Sequence, residues 1–558
     1  MLNLMSTHCA PKLPPREGLS CGQRIIGAFM QRRDLILQLS RAAAVLAWQQ
    51  VFAPGVRAQT PDDTGWSESA EVFTLGVASG EPLPDAVVLW TRLAPKPLQA
   101  DGGMPSQSVP VRWEVALDAR FTQIVRQGVA VADPGVAHSV HVVADGLQAG
   151  QTYFYRFDAG GQRSPVGRTR TAPDPQAPVR NLRMALASCQ HYEQGYFTAH
   201  REIADLDVDL VLFVGDYIYT TESPRHMTLR RHPHEFREDL TGRTLDAYRV
   251  HHASYKLDAD LRAAHAAHPW LMVWDDHEVI ADYTGDSDPY LSDQKAFLAA
   301  RAAAYKAYFE HMPVSPRRVP ADASMPMQGR YRWGQLAELW TLDTRQYRDP
   351  IACSGLRAPM GGKLLWRCGA TDSEARTVLG QRQEDWLAEG LAGCDSTWKF
   401  VVQSTQVSPC RMHTPWGDLL YAEGWDAFPA ARARMMEAIA QPRVRDVVFL
   451  GGDVHRHVAA NLRMNPADRQ SPIIASEIVT SSISSRGLSE LANTWVKASN
   501  PDVLYTRSDE RGYVLLDVSP QQVRCDFRAT AHPVQAQSKF RTQARYVIER
   551  GVPGPRKA

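Results

Sequence analysis

Hydrophobic positions change their period along this chain, and the change divides it. From about Glu71 to Thr171 short apolar–polar alternations run between turn signals. Val87–Thr91, 111–117, 138–143 and 152–157 read as strands, and Asp145-Gly146 and Ala149-Gly150 as turns. Short strands at this spacing predict an all-β sandwich of immunoglobulin or fibronectin type over residues 65–173. The stretch from Thr171 to Pro178 contains three prolines and reads as a stiff linker. Beyond it, continuous apolar runs alternate with helix-period segments. Residues 183–187, 211–214, 270–274, 336–342, 398–402, 447–450 and 473–481 read as buried strands. Residues 197–204, 248–265, 294–311 and 382–391 read as helices. This predicts an α/β domain with mixed sheets flanked by helices over 180–535, and a tail over 536–558.

Several of the apolar runs end in residues that carry chemistry. Val211 to Val214 breaks at Gly215 and gives Asp216, then Tyr219. The strand before Ser188 delivers Cys189. The run ending at Trp274 delivers Asp275, Asp276, His277 and Glu278, and Val447 to Leu450 delivers Asp453, His455 and His457. Each of these alone suits a surface turn or a satisfied core histidine. Together, parallel strands would present them at one sheet edge, where α/β folds place ligands. Two cations about 3.5–4 Å apart clamp a phosphate and lower the pKa of a water towards about 7. Such a pair needs a bridging carboxylate, for which Asp216 is the candidate, and a group such as His277 or an arginine facing the phosphoryl oxygens.

Composition adds the compartment and removes some function classes. The 558 residues exceed a single core, and 62 Lys+Arg nearly balance 61 Asp+Glu for a net charge of +1. No nucleic-acid-binding module or membrane-surface chemistry is indicated. Arg32-Arg33 precedes a mildly apolar stretch and Val56-Arg57-Ala58, which reads as a twin-arginine signal peptide over residues 1–58. The expected location is the periplasm or the exterior, the expected export partner is the twin-arginine machinery, and Met30 is a candidate start. Cys353 and Cys368 could pair there, as could Cys394 and Cys410.

Gly215-Asp216-x-x-Tyr219, Asp276-His277-Glu278 and Gly452-Asp453-Val454-His455 resemble the motif set of calcineurin-like metallophosphoesterases. Cys189 in Ala-Ser-Cys-Gln, the stretch from Leu342 to Arg348, the stretch from Trp425 to Pro429 and Arg511-Gly512-Tyr513 narrow the resemblance to PhoD-type alkaline phosphatases and phosphodiesterases. It runs from about residue 70 to 530. It implies a hydrolase of small or polymeric phosphate esters, with a metal-bound hydroxide attacking phosphorus in line. It implies Fe(III) held by Cys189, Asp216, Tyr219 and His455. It implies Ca2+ held by the shared Asp216 with Asp276 and Asp453, and His277 and Arg345 facing the phosphate. Zn2+ or Mn2+ is the alternative metal set. Asp275 and Glu278 are expected to support ligands, Asp343 to orient Arg345 or bind metal, and Gln406 to bind calcium or stand behind it. His457 is expected to be structural rather than a ligand. The competing class is an exported adhesion protein with an inactive metallophosphoesterase-like domain.

Overall fold

The structure, a computed structural model, describes residues 70–234, 243–289, 292–353, 356–357 and 363–558. The expected signal peptide lies outside these. Thr64–Ala558 gathers into one compact unit.

Two sheets carry it. In the larger, the parallel strands Leu182–Ala187, Leu210–Val214 and Pro269–Val273 lie side by side. In the seven-stranded sheet, Ala337–Thr341, Trp398–Val402, Val447–Gly451 and Ile473–Val479 are parallel neighbours. The pleat sends alternate side chains of each strand to opposite faces. Leu210, Leu212 and Val214 join Phe400, Val402, Val448 and Leu450 in a core between the sheets. Val211 and Phe213 turn the other way, onto Tyr248, Tyr255, Phe297 and Tyr308 of the helices. Val401 and Phe449 likewise meet Leu387, Leu391 and Met435 on the far side. The layers therefore run helix, sheet, sheet, helix, which explains why these strands are apolar on both faces.

The helices begin where short polar side chains cap them. Asp293 accepts from the Ala296 amide at the head of Gln294–His311, whose buried Phe297, Ala300, Arg301, Ala304, Tyr305 and Tyr308 form a stripe at helical spacing. The single helix expected over 248–265 is instead two, Leu245–Lys256 and Ala259–Ala267. Asp258 breaks it by accepting from the amides of Asp260 and Leu261. Among the described residues no helix is long and apolar enough to cross a membrane.

The N-terminal strands do form two packed layers. Val109–Ala116, Ile124–Ala132, Thr152–Ala159, Gln162–Arg163 and Gly167–Arg170 make one sheet. Its Val111, Val115, Tyr155 and Phe157 pack on Val87, Leu89, Val140 and Val142 of the other layer. That other layer is no separate sheet. Val77–Gly80 pairs in parallel with Pro269–Val273, Ser79 opposite Pro269 and Gly80 opposite Trp270. Val87–Arg92 and Ser139–Ala144 follow outward, so the larger sheet reaches ten strands. At its other edge Arg541–Glu549 and Val552–Lys557 pair antiparallel, so the segment read as a tail is sheet. Its frequent charges occupy the outward positions, which hid the alternation. Cys353 and Cys368 are disulfide-bonded. Cys394 and Cys410 are not. The Cys394 thiol donates to Glu338, and Arg456 donates to the Cys410 sulfur.

Candidate metal centre

The carboxyl ends of the two sheets meet. Gly215, at φ 98°, turns the chain out of its strand, and a Cβ there would lie 2.6 Å from Cβ of Asp275. A Cβ on Gly452 would lie 2.6 Å from the Ser188 hydroxyl, so glycine is what allows this close approach of the two strand ends. The residues just beyond are held in left-handed backbone: Cys189 at φ 58°, Asp216 at 57°, Asp453 at 63° and His455 at 50°. Non-glycine residues avoid this region unless their surroundings over-determine it, and such strain gathers at functional sites.

Two groups of ligand atoms result, each within 4.8 Å: Cys189, Asp216 and His455, and Asp216, Asp276 and His277. Asp216 belongs to both. Tyr219 joins the first group, its hydroxyl donating to Asp216 Oδ2 at 2.8 Å and lying 2.9 Å from His455 Nε2. His455 Nδ1 donates to the Arg486 carbonyl at 2.7 Å, which turns the Nε2 lone pair inward. Burial and then Arg511 push the His455 pKa down to about 3, so the ring is neutral. The Tyr219 oxygen, Asp216 Oδ2 and the His455 nitrogen thus converge on one another. Asp216 Oδ1 is buried with no partner at all. A convergent set of buried oxygen, nitrogen and sulfur atoms, one of them unpartnered, fits a cation.

The charge balance says the same. Asp216, Asp275, Asp276, Glu278 and Glu423 are all buried and Asp453 is half-buried, with the buried Arg345 and Arg348 among them. Burial, then the neighbouring Asp276 and Asp275, raise Asp216 well above the usual carboxylate range. Burial and Asp275 push Asp453 up to about 8. Burial raises Cys189 and Tyr219, and Asp216 raises both further. Asp276 is the exception: burial works against its charge, but Arg345 and His277 outweigh it and hold the carboxyl at about 2.

The supports are equally specific. Glu278 accepts from the amides of Asp216, Tyr217 and Asp275, tying two strand ends together. Asp343 accepts from Trp274 and from the amides of Arg345 and Gln346, so it shapes the turn that carries Arg345. Arg345 is 1% exposed and engaged by Asp275, Asp276 and Glu423, which places it behind the acids rather than open to a substrate. Asp453 stands beside both groups, its oxygens accepting from Thr405 at 2.5 Å and Tyr421 at 3.1 Å. Gln406 accepts from Arg456 and donates to Ser408, turned away from the centre. His457 takes the Ser481 amide and packs on Phe527, a structural role. Arg511 donates to the carbonyls of His455, Ser485 and Ser508, a corner that fixes the loop under His455.

The sequence reading missed Glu423, Tyr421, Thr405 and Asp282, whose amide donates to Asp276 at 2.6 Å. Thr405 follows Trp398–Val402 at the same three-residue offset at which Asp276 follows its strand, but it carries no charge to mark it, and Tyr421 ends a short strand with little apolar run. Glu423, two residues before Trp425, was the one within reach, as a lone acid leading into a motif already singled out.

A family model described as PhoD-like phosphatase matches residues 184–527, and its companion for the N-terminal domain matches residues 58–173. Alkaline phosphatase D of Bacillus subtilis (strain 168) is 40% identical over 494 residues, 88% of this chain and 83% of that protein. The solved structure of PhoD superposes with a TM-score of 0.83 at 39% identity, covering 88% of this chain and 93% of that one.

Proposed function

The chain belongs to the PhoD-like phosphatase family, and on that premise we propose that it hydrolyses phosphoric esters at a two-cation centre divided by Asp216. The observation that carries the reading is the membership of Asp216 in both ligand groups. Cys189, Tyr219 and His455 would hold one ion with it, and Asp276 and Asp453 the other, with His277 beside them. A thiolate and a phenolate suit Fe(III), and the oxygen-rich side suits Ca2+. When bound, the ions supply Lewis-acid polarisation and acidify a water. His277, whose nitrogen falls within the second group, is assigned to the phosphate side, since Ca2+ takes oxygen ligands. Arg345 is assigned to holding Asp275, Asp276 and Glu423 in place and to offsetting their charge. An adhesive role without chemistry has no support, since every residue of both ligand groups is present. Export through the twin-arginine route belongs to this reading, and a mature N-terminus just after Ala58 would support it.

The test pairs elemental analysis with turnover. Purified protein should contain iron and calcium, and should cleave chromogenic phosphate esters until chelation stops it. Zinc or manganese without iron would overturn the metal assignment. Turnover that survives complete metal removal would overturn the mechanism.

A further inference from the structure

Single apolar side chains are common on protein surfaces, but a contiguous exposed group of large ones is not. The three tryptophans exposed among the described residues, Trp366, Trp416 and Trp495, form such a group with Leu491, at 40%, 84%, 46% and 85% exposure. Trp366 ends the strand Lys363–Trp366 and stands opposite Leu419 of Gly417–Tyr421. Leu419 in turn stands opposite Met412 of Met412–Thr414, and Trp416 sits in the two-residue turn that joins these last two strands. Trp366, Leu419 and Met412 therefore share the open face of this small sheet, while Leu365 and Leu420 point the other way into a core. The Trp495 ring nitrogen donates to the His413 carbonyl at 3.0 Å, which ties the helix Glu490–Ser499 to the same hairpin. Leu491 lies one turn earlier on the helix and shares its outward face, since Asn493, Val496 and Ser499 are buried on the inward one.

Both elements reach the rim of the metal centre. Gly417–Tyr421 ends in the hydroxyl that donates to Asp453 at 3.1 Å. Glu490, at the head of the helix, accepts from the Ser508 amide at 2.6 Å, and Ser508 belongs to the corner that Arg511 makes under His455.

The charge around the group selects the occupant. The exposed helix positions Leu491, Thr494, Trp495, Lys497 and Ala498 hold one cation and no acid, and Arg486 is exposed in the loop that leads into the helix. Among the described residues neither Arg486 nor Lys497 forms an ion pair, whereas Arg367 is matched by Asp372 at 3.0 Å and Asp418 by Arg411 at 3.5 Å. Lysine is depleted where folded proteins meet, so a protein partner fits less well. Tryptophan and leucine at a hairpin tip and on a helix face, flanked by unmatched cations, fit the boundary layer of an anionic bilayer. There the rings and the alkyl group enter at headgroup level and the cations meet lipid phosphates. A net charge of +1 hides the feature because it is local.

We propose that Trp366, Trp416, Leu491 and Trp495, with Arg486 and Lys497, form a face that docks this protein on an anionic phospholipid bilayer.

Co-sedimentation of the metal-loaded full chain with two kinds of vesicle tests it, one of phosphatidylcholine alone and one of phosphatidylcholine mixed with phosphatidylglycerol. The wild type should bind the mixed vesicles about tenfold more tightly than the neutral ones. Trp416→Ser combined with Leu491→Ser should weaken binding to the mixed vesicles by about tenfold or more. Lys497→Glu should cut the preference for the mixed vesicles to below about threefold. On the wild type alone, mixed vesicles whose acyl chains carry bromine should quench part of the tryptophan fluorescence. A wild type that stays in the supernatant overturns the proposal, including the case in which this face instead holds a soluble polysaccharide or a second copy of the chain. Binding without quenching, or a double variant that binds as the wild type does, overturns it as well. Binding is read whether or not an ester is cleaved, so the outcome stands apart from the hydrolase reading.

Discussion

Two buried regions of this molecule carry surplus charge of opposite sign, and they dispose of it differently. Around the metal centre the surplus is acidic. Some way off, between the N-terminal sheet and the helices, it is basic. There Arg92 contacts His311 at 2.7 Å, His311 stacks on His252 at 5.3 Å, and Lys256 lies 4.3 Å from the Trp90 ring. Burial lowers Lys256 to about 7 and Arg92 to about 10. Burial, with Lys256 next, takes His252 to about 3. Glu310 offsets some of the remainder through Arg249 at 2.6 Å. The basic region thus relieves its charge by giving up protons, in ordinary helical and extended backbone. The acidic region is strained at Cys189, Asp216, Asp453 and His455, and its lone pairs converge. Protons could relieve its charge but would not explain that convergence, whereas cations explain both.

The largest expected effect breaks the acidic side. Asp216→Asn removes the charge and one of the two oxygens of the carboxylate shared by both groups. Turnover on a chromogenic phosphate ester should fall by about 10³-fold or more, with loss of bound metal on elemental analysis. Full metal content with full activity would dismiss the shared-ligand role. Next, the two histidines of one motif should part company. His455→Ala should cost about 100-fold or more in activity together with metal. His457→Phe should keep its metal and lose only about 1–3 kcal/mol of stability in denaturant unfolding, as expected for a buried hydrogen-bonded ring. Equal metal loss in the two would erase the distinction.

Smaller effects arise from protons. Asp453 sits near 8, and Asp216, Cys189 and Tyr219 are all shifted upward, so cations displace protons when they bind. Metal affinity should therefore weaken as pH falls, by about tenfold per unit for each proton displaced, measured as chelator concentration at half-release between pH 9 and 6. On the basic side the sign reverses. Lys256 falls from 10.5 to about 7 on folding, so between those values the unfolded chain holds the extra proton and stability rises with pH. Lys256→Met should stabilise the protein by about 1–3 kcal/mol at pH 6, and the gain should fade by pH 10. A gain that does not change with pH would show that packing, not charge, governs that region.

Much of this was legible in the chain because the strands that position the centre are buried on both faces. An uninterrupted apolar run broken by glycine and acid reads as a strand end, and with Cys189, Asp216, Asp276 and His455 all standing where such runs end the set pointed to one sheet edge. Helix Gln294–His311 was readable for a similar reason, with a capping Asp293 and a stripe at helical spacing. Elements with one wet face were harder. Arg541–Glu549 is a strand whose outward charges mask its period. Arg345 illustrates the limit for the site: a cation after a strand reads equally as a substrate clamp or as a counter-ion, and only its burial among Asp275, Asp276 and Glu423 separates the two. The pairing of Val77–Gly80 with Pro269–Val273 was invisible because nothing local encodes a partner so distant in the chain.

That pairing also sets an order of events during synthesis. The N-terminal layers emerge first, yet the parallel partner of Val77–Gly80 leaves the ribosome only some 190 residues later. Until then the inner edge of the early sheet has no neighbour. The strand that fills it is the one whose next residues are Asp275, Asp276 and His277. The same strand therefore both closes the inner edge of the N-terminal sheet and carries these side chains to the sheet edge.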